Sequence, residues 1–395
     1  MKEVVILGGA RTAMAEYNGA LAQFAETDLA AFAAKAALER TATKPGDVDH
    51  VVIGNALQTS RNAIYGARHV GLKAGVPIEV PALTVNRICG SGIQSVVTAA
   101  QLIRGDEADT VLAGGMESMS QAPHVVRGLR TGLRLGHAKL EDMLMASLMD
   151  DHCGTFMAGT AENLAREHGI SREEQDRFAI RSQQTADAAF KAGKFRDEIV
   201  PVEVKGKAGA TMFEEDDHRR PETTLEGLAK LPAAFAKDGF VTAGNASGIV
   251  DGGAAVVVKS LDAARKTGAK PLGRIVGWAV TGVEPRIMGI GPVPAIRKLL
   301  EKTGLTLGAI DLFEINEAFA AQYLAVEKTL GLDRERVNVN GGAIALGHPL
   351  GATGTRLILA LLLELRRRGG RYGIASACIG GGQGIAMLVE SMGGN

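Results

Sequence analysis

The chain has 395 residues, with 44 basic and 44 acidic side chains, so its formal net charge is zero. Hydrophobic residues make up 46% and charged ones 22%, which excludes a disordered polymer and, lacking a basic excess, a dedicated nucleic-acid binder. Glycine is abundant at 51 residues and aromatics are scarce at 4%, so tight turns are expected and base-stacking surfaces are not.

Lys2 and Glu3 precede only a short apolar run, residues 4–7, which reads as a buried strand and not as a secretory leader. Thr27 is expected to cap a helix over residues 28–40, followed by strands at 51–53 and 110–113. Residues 119–248 are richer in charge and differ in pattern from both flanks. Ser171-Arg172-Glu173-Glu174 is a capping box that opens a helix running to about Lys191. A strand-like piece at 199–205 and a polar stretch at 214–224 follow, then a strand at 254–259. The longest uncharged stretches, 88–103, 337–355 and 372–389, carry too many polar residues and glycines to span a membrane.

The chain repeats itself. Leu38-Glu39-Arg40-Thr41, with Gly46, Val48 and Asp49 after it, returns as Leu300-Glu301-Lys302-Thr303 with Gly308, Ile310 and Asp311, always at an offset of 262. Each copy continues with a strand, a Gly-rich strand-to-helix turn and a last strand ending in glycines. Alternating helix and strand signals imply an α/β fold built from two related halves, with residues 119–248 inserted between the last strands of the first.

Four positions could carry chemistry. Cys89 lies between a strand and an apolar-striped helix, where the helix dipole and free amides favour a thiolate. His348, in the corresponding turn of the second copy, is a candidate base. Cys378 ends the last strand beside Gly380-Gly381-Gly382, whose bare amides could hold an oxyanion. Asn316 follows the strand 312–315 and is suited to orient a water or a carbonyl. Taken singly, each has an ordinary structural reading: a core cysteine, a turn histidine, a helix cap. Together they share the carboxyl edge of the strands, where ligands gather in open α/β sheets. Two thiols and an imidazole there suggest a covalent intermediate and two proton transfers. The cysteines have no paired metal spacing, no G-x-G-x-x-G follows the first strand, and three cysteines make no disulfide framework, so a reducing cytoplasm is expected.

These blocks resemble the thiolase family over nearly the whole chain. They comprise residues 5–12 (V-I-L-G-G-A-R-T), the Cys89 turn, T-A-E-N at 160–163, G-N-A-S-G at 244–248, N-E-A-F-A from Asn316, the G-H-P-x-G-A-T-G turn and C-I-G-G-G. The resemblance implies a duplicated five-layer α-β-α-β-α core: residues 1–118 with 249–271 as the first half, 272–395 as the second, and 119–248 as a loop domain that binds coenzyme A. It implies reversible condensation of acetyl-CoA with acyl-CoA to 3-ketoacyl-CoA, with coenzyme A as co-substrate and no tightly bound cofactor. Cys89 would take the acyl group, His348 would be its base, and Cys378 would move the α-proton. The amides of Cys89 and Gly380 would form one oxyanion hole, and His348 with a water on Asn316 the other.

By the same resemblance Arg220 would pack on adenine and Ser247 would meet the pantetheine. Leu148, Met157, Phe235, Ala243, Ala318 and Phe319 would line the tunnel. From the residues alone, Arg219 and Arg220 read as a solvated cluster with residues 214–217. Cys153 is expected to be structural. Two departures fall beside the acyl pocket: Phe156 where short-chain members often carry His, and Ala158 after Met157. A homodimer or a dimer of dimers is implied, with residues 125–148 as one candidate for the second contact, and neither nucleic acid nor membrane as a partner. The alternative is a ketoacyl synthase-like condensing enzyme that takes acyl groups from a carrier protein. Cys378 argues against it.

Overall fold

The computed structural model describes residues 2–206 and 209–392. The first half contains β1 (Val4–Thr12), α1 (Glu26–Arg40), β2 (His50–Asn55), α2 (Gly66–Lys73), β3 (Ala82–Val85), α3 (Ser91–Arg104) and β4 (Thr110–Glu117). Helices α4 (Met157–Glu167) and α5 (Arg172–Lys191) and the hairpin of β5 (Val202–Gly206) and β6 (Gly209–Phe213) follow, before β7 (Val250–Ser260). The second half contains β8 (Gly273–Gly282), α6 (Pro292–Thr303), β9 (Leu312–Ile315), α7 (Ala320–Leu330), α8 (Leu350–Arg368), β10 (Tyr372–Ile379) and β11 (Gln383–Ser391).

The two halves are topological copies. The first sheet runs β3-β2-β4-β7-β1, and the second runs β9-β10-β11-β8, joined to it where Val5 and Ile6 pair with Arg274 and Gly273. In both, the last strand is antiparallel to the two it separates, and the others are parallel. The counterpart of β3 is reduced to a single bridge between Phe313 and Val337. Asn338 covers the rest of that edge: its amide nitrogen donates to Ile315 O at 2.8 Å and its oxygen accepts from Ile315 N at 2.9 Å. The repeated aspartates do the same work in each copy. Asp49 accepts from the amides of Asp109 and Thr110 at 2.9 and 2.8 Å, and Asp311 from those of Arg371 and Tyr372 at 2.8 Å, so each pins the start of the fourth strand.

Five layers result. Helices α1 and α2 cover one sheet, α6 and α7 cover the other, and α3 with α8 is buried between them. Glycine allows that central contact: a Cβ on Gly92 would lie 2.5 Å from the Thr355 amide nitrogen and 2.9 Å from the Gly351 carbonyl. The segment 119–248 leaves the core after β4 and re-enters at β7, which are adjacent antiparallel strands. It packs on the second half, where Phe178 of α5 stacks on Tyr323 of α7 at 4.3 Å.

Two boundaries differ from the sequence reading. Helix α1 begins at Glu26, not after Thr27, because Asp28 folds back to accept from the Ala25 amide and makes Ala25 the cap. Thr27 is buried inside the helix and accepts from Lys73. The strand-like piece at 199–205 is two strands, Ile199–Val200 and Val202–Gly206, broken at Pro201, which has no amide proton for a ladder. The capping box at Ser171 forms as read.

Candidate active site

Cys89 lies in a single 3-10 turn, Ile88–Gly90, that passes directly from β3 toward α3. The Ser91 hydroxyl accepts from the Arg87 amide at 2.8 Å and donates to the Ile88 carbonyl at 2.7 Å. These bonds hold Ile88 at φ +48°, a left-handed conformation that costs a β-branched residue on the order of 1–2 kcal/mol. Arg87 donates to the Gln383 side chain at 3.0 Å, which couples this turn to the one after Cys378. Gly381 and Gly382, at φ +79° and +81°, reverse the chain there. The backbone amides of Gly380 and of Cys89 itself lie near the Cys89 thiol and favour its charged form.

His348 stands between Gly347 and the start of α8, its backbone amide donating to the Gly248 carbonyl at 3.0 Å. Its Nδ1 lies 2.6 Å from the Thr353 hydroxyl, and its Nε2 lies 3.2 Å from Nδ2 of Asn316. Thr353 donates to the Pro349 carbonyl at 3.0 Å, so it accepts from Nδ1–H and leaves Nε2 with its lone pair. Asn316 in turn is placed by its own amide, which donates to the Ser376 carbonyl at 2.9 Å beside β10. Its Oδ1 is buried with no partner among the described residues.

A cavity of about 140 Å³ unites these elements. Cys89 and His348 line it together with Leu148, Met157, Phe235, Ser247, Ala318 and Phe319. Cys378 lies behind the wall, packed on Met157, Met288, Ala318 and Phe319, and close enough to Cys89 that one thiolate would repel the other. The family-like blocks hold these walls. Glu162 accepts from the amides of Phe240 and Val241 at 2.8 Å, and Asn163 donates to the Arg286 carbonyl at 2.8 Å, fixing the segment that carries Met288. Ser247 is set by its amide, which donates to the Ala318 carbonyl at 3.0 Å.

Burial governs the electrostatics. It pushes the Cys89 thiol up to about 11, against the pull of the Gly380 and Cys89 amides. Cys378 is pushed further up, by burial and then by Cys89. His348 is lowered to about 3, by burial and then by the charge of Arg356. Burial thus opposes the thiolate that a helix N-terminus favours, and it favours a neutral thiol beside a neutral imidazole. Glu117, at the end of β4, is also fully buried, and burial raises it to about 8. Four donors pull the other way: the amides of Ala56, Leu57 and Gly351 and the side chain of Asn55, at 2.8–3.1 Å.

Two residues, Arg220 and Ala243, do not line this cavity. The guanidinium of Arg220 is half-exposed and bonded to Glu16 and to the carbonyls of Asp217 and Arg219, away from the cavity wall. This is the charge-cluster arrangement, with Glu16 supplying an acid far off in sequence. Ala243 is exposed, and Ala246 takes the lining position. Met119, Ile249, Met288 and Leu350 also line the cavity. Ile249 and Leu350 adjoin quoted motifs and could have been found from them, whereas nothing local marks Met288. Cys153 is half-buried, its thiol 3.9 Å from the Asp150 carbonyl.

The family profile described as "Thiolase, N-terminal domain" matches residues 4–262, and "Thiolase, C-terminal domain" matches residues 269–391. The chain belongs to the thiolase family. It is 57% identical over 392 residues to the mitochondrial 3-ketoacyl-CoA thiolase of Homo sapiens, covering 99% of each. It is 52% identical to the acetyl-CoA acetyltransferase of Chromobacterium violaceum, covering 98% of this chain and 99% of that one. The crystal structure of the human mitochondrial thiolase in complex with CoA matches at a TM-score of 0.97 and 56% identity, over 99% of this chain and 98% of that one. This thiolase is therefore an acyltransferase of the coenzyme A type, and the carrier-protein alternative is not favoured.

Proposed function

We propose that this thiolase makes and cleaves 3-ketoacyl-CoA through an acyl-Cys89 intermediate. The observation that carries the reading is that Cys89 and His348 line one apolar cavity, with Cys378 packed directly behind its Met157, Met288, Ala318 and Phe319 wall. Cys89 attacks the thioester carbonyl as Nε2 of His348 takes its proton. The carbon–sulfur bond to coenzyme A breaks, and the proton passes to the departing thiolate. The amides of Cys89 and Gly380, which lie beside the thiol, are read as the donors to the oxyanion. The imidazole, neutral again, then takes the proton of Cys378, and the Cys378 thiolate takes the α-proton of acetyl-CoA. The enolate carbon attacks the acyl carbonyl, the bond to Cys89 breaks, and the proton held by His348 returns to the Cys89 sulfur. Thiolysis is the reverse sequence. The free Oδ1 of Asn316 suits a water whose second hydrogen faces the enolate oxygen.

Coenzyme A itself is read as the co-substrate, with Ser247, Leu148 and Phe235 at the pantetheine tunnel and Arg220 reaching the nucleotide from the rim. Exposed Ile64, Tyr65, Ile78, Leu83 and Ile88 on and around β3 favour a homodimer through that edge. Exposed Leu129, Leu133, Leu135 and Leu140 favour a second contact between dimers. Three free cysteines suit a reducing, cytoplasmic setting. The test is a pair of variants. Cys89→Ala should abolish thiolysis, and Cys378→Ala should still form acyl-enzyme yet fail to condense acetyl-CoA. Condensation by Cys378→Ala would refute its role.

A further inference from the structure

A second concave site lies at the far end of α3. The helix starts beside Cys89 and ends at Arg104, roughly 20 Å away at 1.5 Å per residue. There a groove of about 610 Å³ opens between the ends of α3 and α6 and strand β8. Its floor is Trp278, the only tryptophan, continuous with Ile275, Val276 and Gly277. Arg104 lies over the indole at 4.7 Å from the ring centre, and Lys302 at 5.5 Å.

The other cations of the groove are neutralised. Lys2 pairs with Asp106 at 2.8 Å and Asp109 at 3.2 Å, and Arg274 with Glu3 at 2.7 Å and with Glu390. Arg104 and Lys302 make no hydrogen bond or ion pair among the described residues, and the Nε of Arg104 is buried without a partner. One cation on an aromatic ring is a common packing device. Two cations over one ring, neither with an acid, leave the groove with positive charge that nothing in it offsets. An anion seated there supplies that offset, and a guanidinium and an ammonium are both suited to a phosphoryl group. The volume exceeds a bare phosphate and falls in the range of small-ligand sites, with apolar wall beside the charges.

We infer that this groove binds a small phosphate ester, its phosphoryl group drawn to Arg104 and Lys302 and its organic part along residues 275–278. The site is separate from the catalytic cavity and independent of the acyl-transfer reading. Trp278 reports on it directly. Inorganic phosphate and glucose 6-phosphate, titrated against sodium chloride at matched ionic strength, should each change tryptophan emission saturably, the ester at lower concentration. The double variant Arg104→Gln/Lys302→Gln should weaken both responses roughly tenfold or more, the worth of one charge-assisted contact, and leave thiolysis unchanged as a check on folding. An equal response to chloride, a response to phosphate without one to the ester, or undiminished affinity in the double variant would each overturn the assignment.

Discussion

His348 is gripped at both ring nitrogens, by Thr353 at 2.6 Å and by Asn316 at 3.2 Å. Thr353 is the versatile partner, because a hydroxyl can accept from Nδ1–H or donate to a bare Nδ1. It thus supports the imidazole as a base at Nε2 and, by turning from the Pro349 carbonyl, as a donor there. Thr353→Val should lower kcat roughly 10- to 100-fold, a fraction of what general-base catalysis contributes, with KM little changed. Thr353→Ser should restore most of it. Equal kcat in the valine variant and the parent would remove Thr353 from the mechanism.

Acid and alkali should act on opposite members of the pair. His348 is lowered from 6.5 to about 3, so between those values the unfolded chain binds a proton that the fold refuses, and stability falls as pH drops through that window. Cys89 is raised from 9.0 to about 11, so its contribution is lost as pH rises between those values. Urea midpoints at neutral and mildly acidic pH should show less acid sensitivity in His348→Asn than in the parent. Iodoacetamide labelling of Cys89 should keep accelerating past about pH 10, where an ordinary thiol with a pKa of 9.0 has levelled off. A plateau near neutrality would mean that a resting thiolate exists after all.

Glu117 receives four donors and offers its oxygens to a loop beside Cys89 and to the first turn of α8 after His348. Glu117→Gln places an NH₂ among those donors, so two bonds are lost. The expected loss is about 2–3 kcal/mol of stability, with a lower kcat. Chemical denaturation and thiolysis assays on one preparation read both effects. A variant as stable as the parent would show that the acid is held protonated.

Phe156 meets Phe235 across the cavity mouth with ring centres 6.5 Å apart. Phe156→Ala should raise KM for medium-chain 3-ketoacyl-CoA roughly tenfold, the loss of about 1.5 kcal/mol of apolar contact, and change that for acetoacetyl-CoA much less. Equal effects on both substrates would place Phe156 outside the acyl path.

Much of this was legible in residue order. The offset repeat marked the twin aspartates, and the strand-to-helix turns located both Cys89 and His348, because turn chemistry is local. What escaped depends on distance along the chain. Arg220 is claimed by Glu16, and Cys89 is desolvated by Met119, Leu144 and Leu350, so neither the salt bridge nor the raised thiol pKa has a local signal. Thr353 lay inside a quoted motif, yet its role appears only once α8 turns it back onto the imidazole.

Asn338 has a consequence for how copies of the chain can meet. By closing the outer side of β9 with its own amide, it leaves β3 as the unprotected margin of the paired sheets among the described residues. Strand addition at a single margin is self-limiting: two chains satisfy each other and no fibre can grow. A side chain that abolished this plug would convert a terminating unit into one able to polymerise.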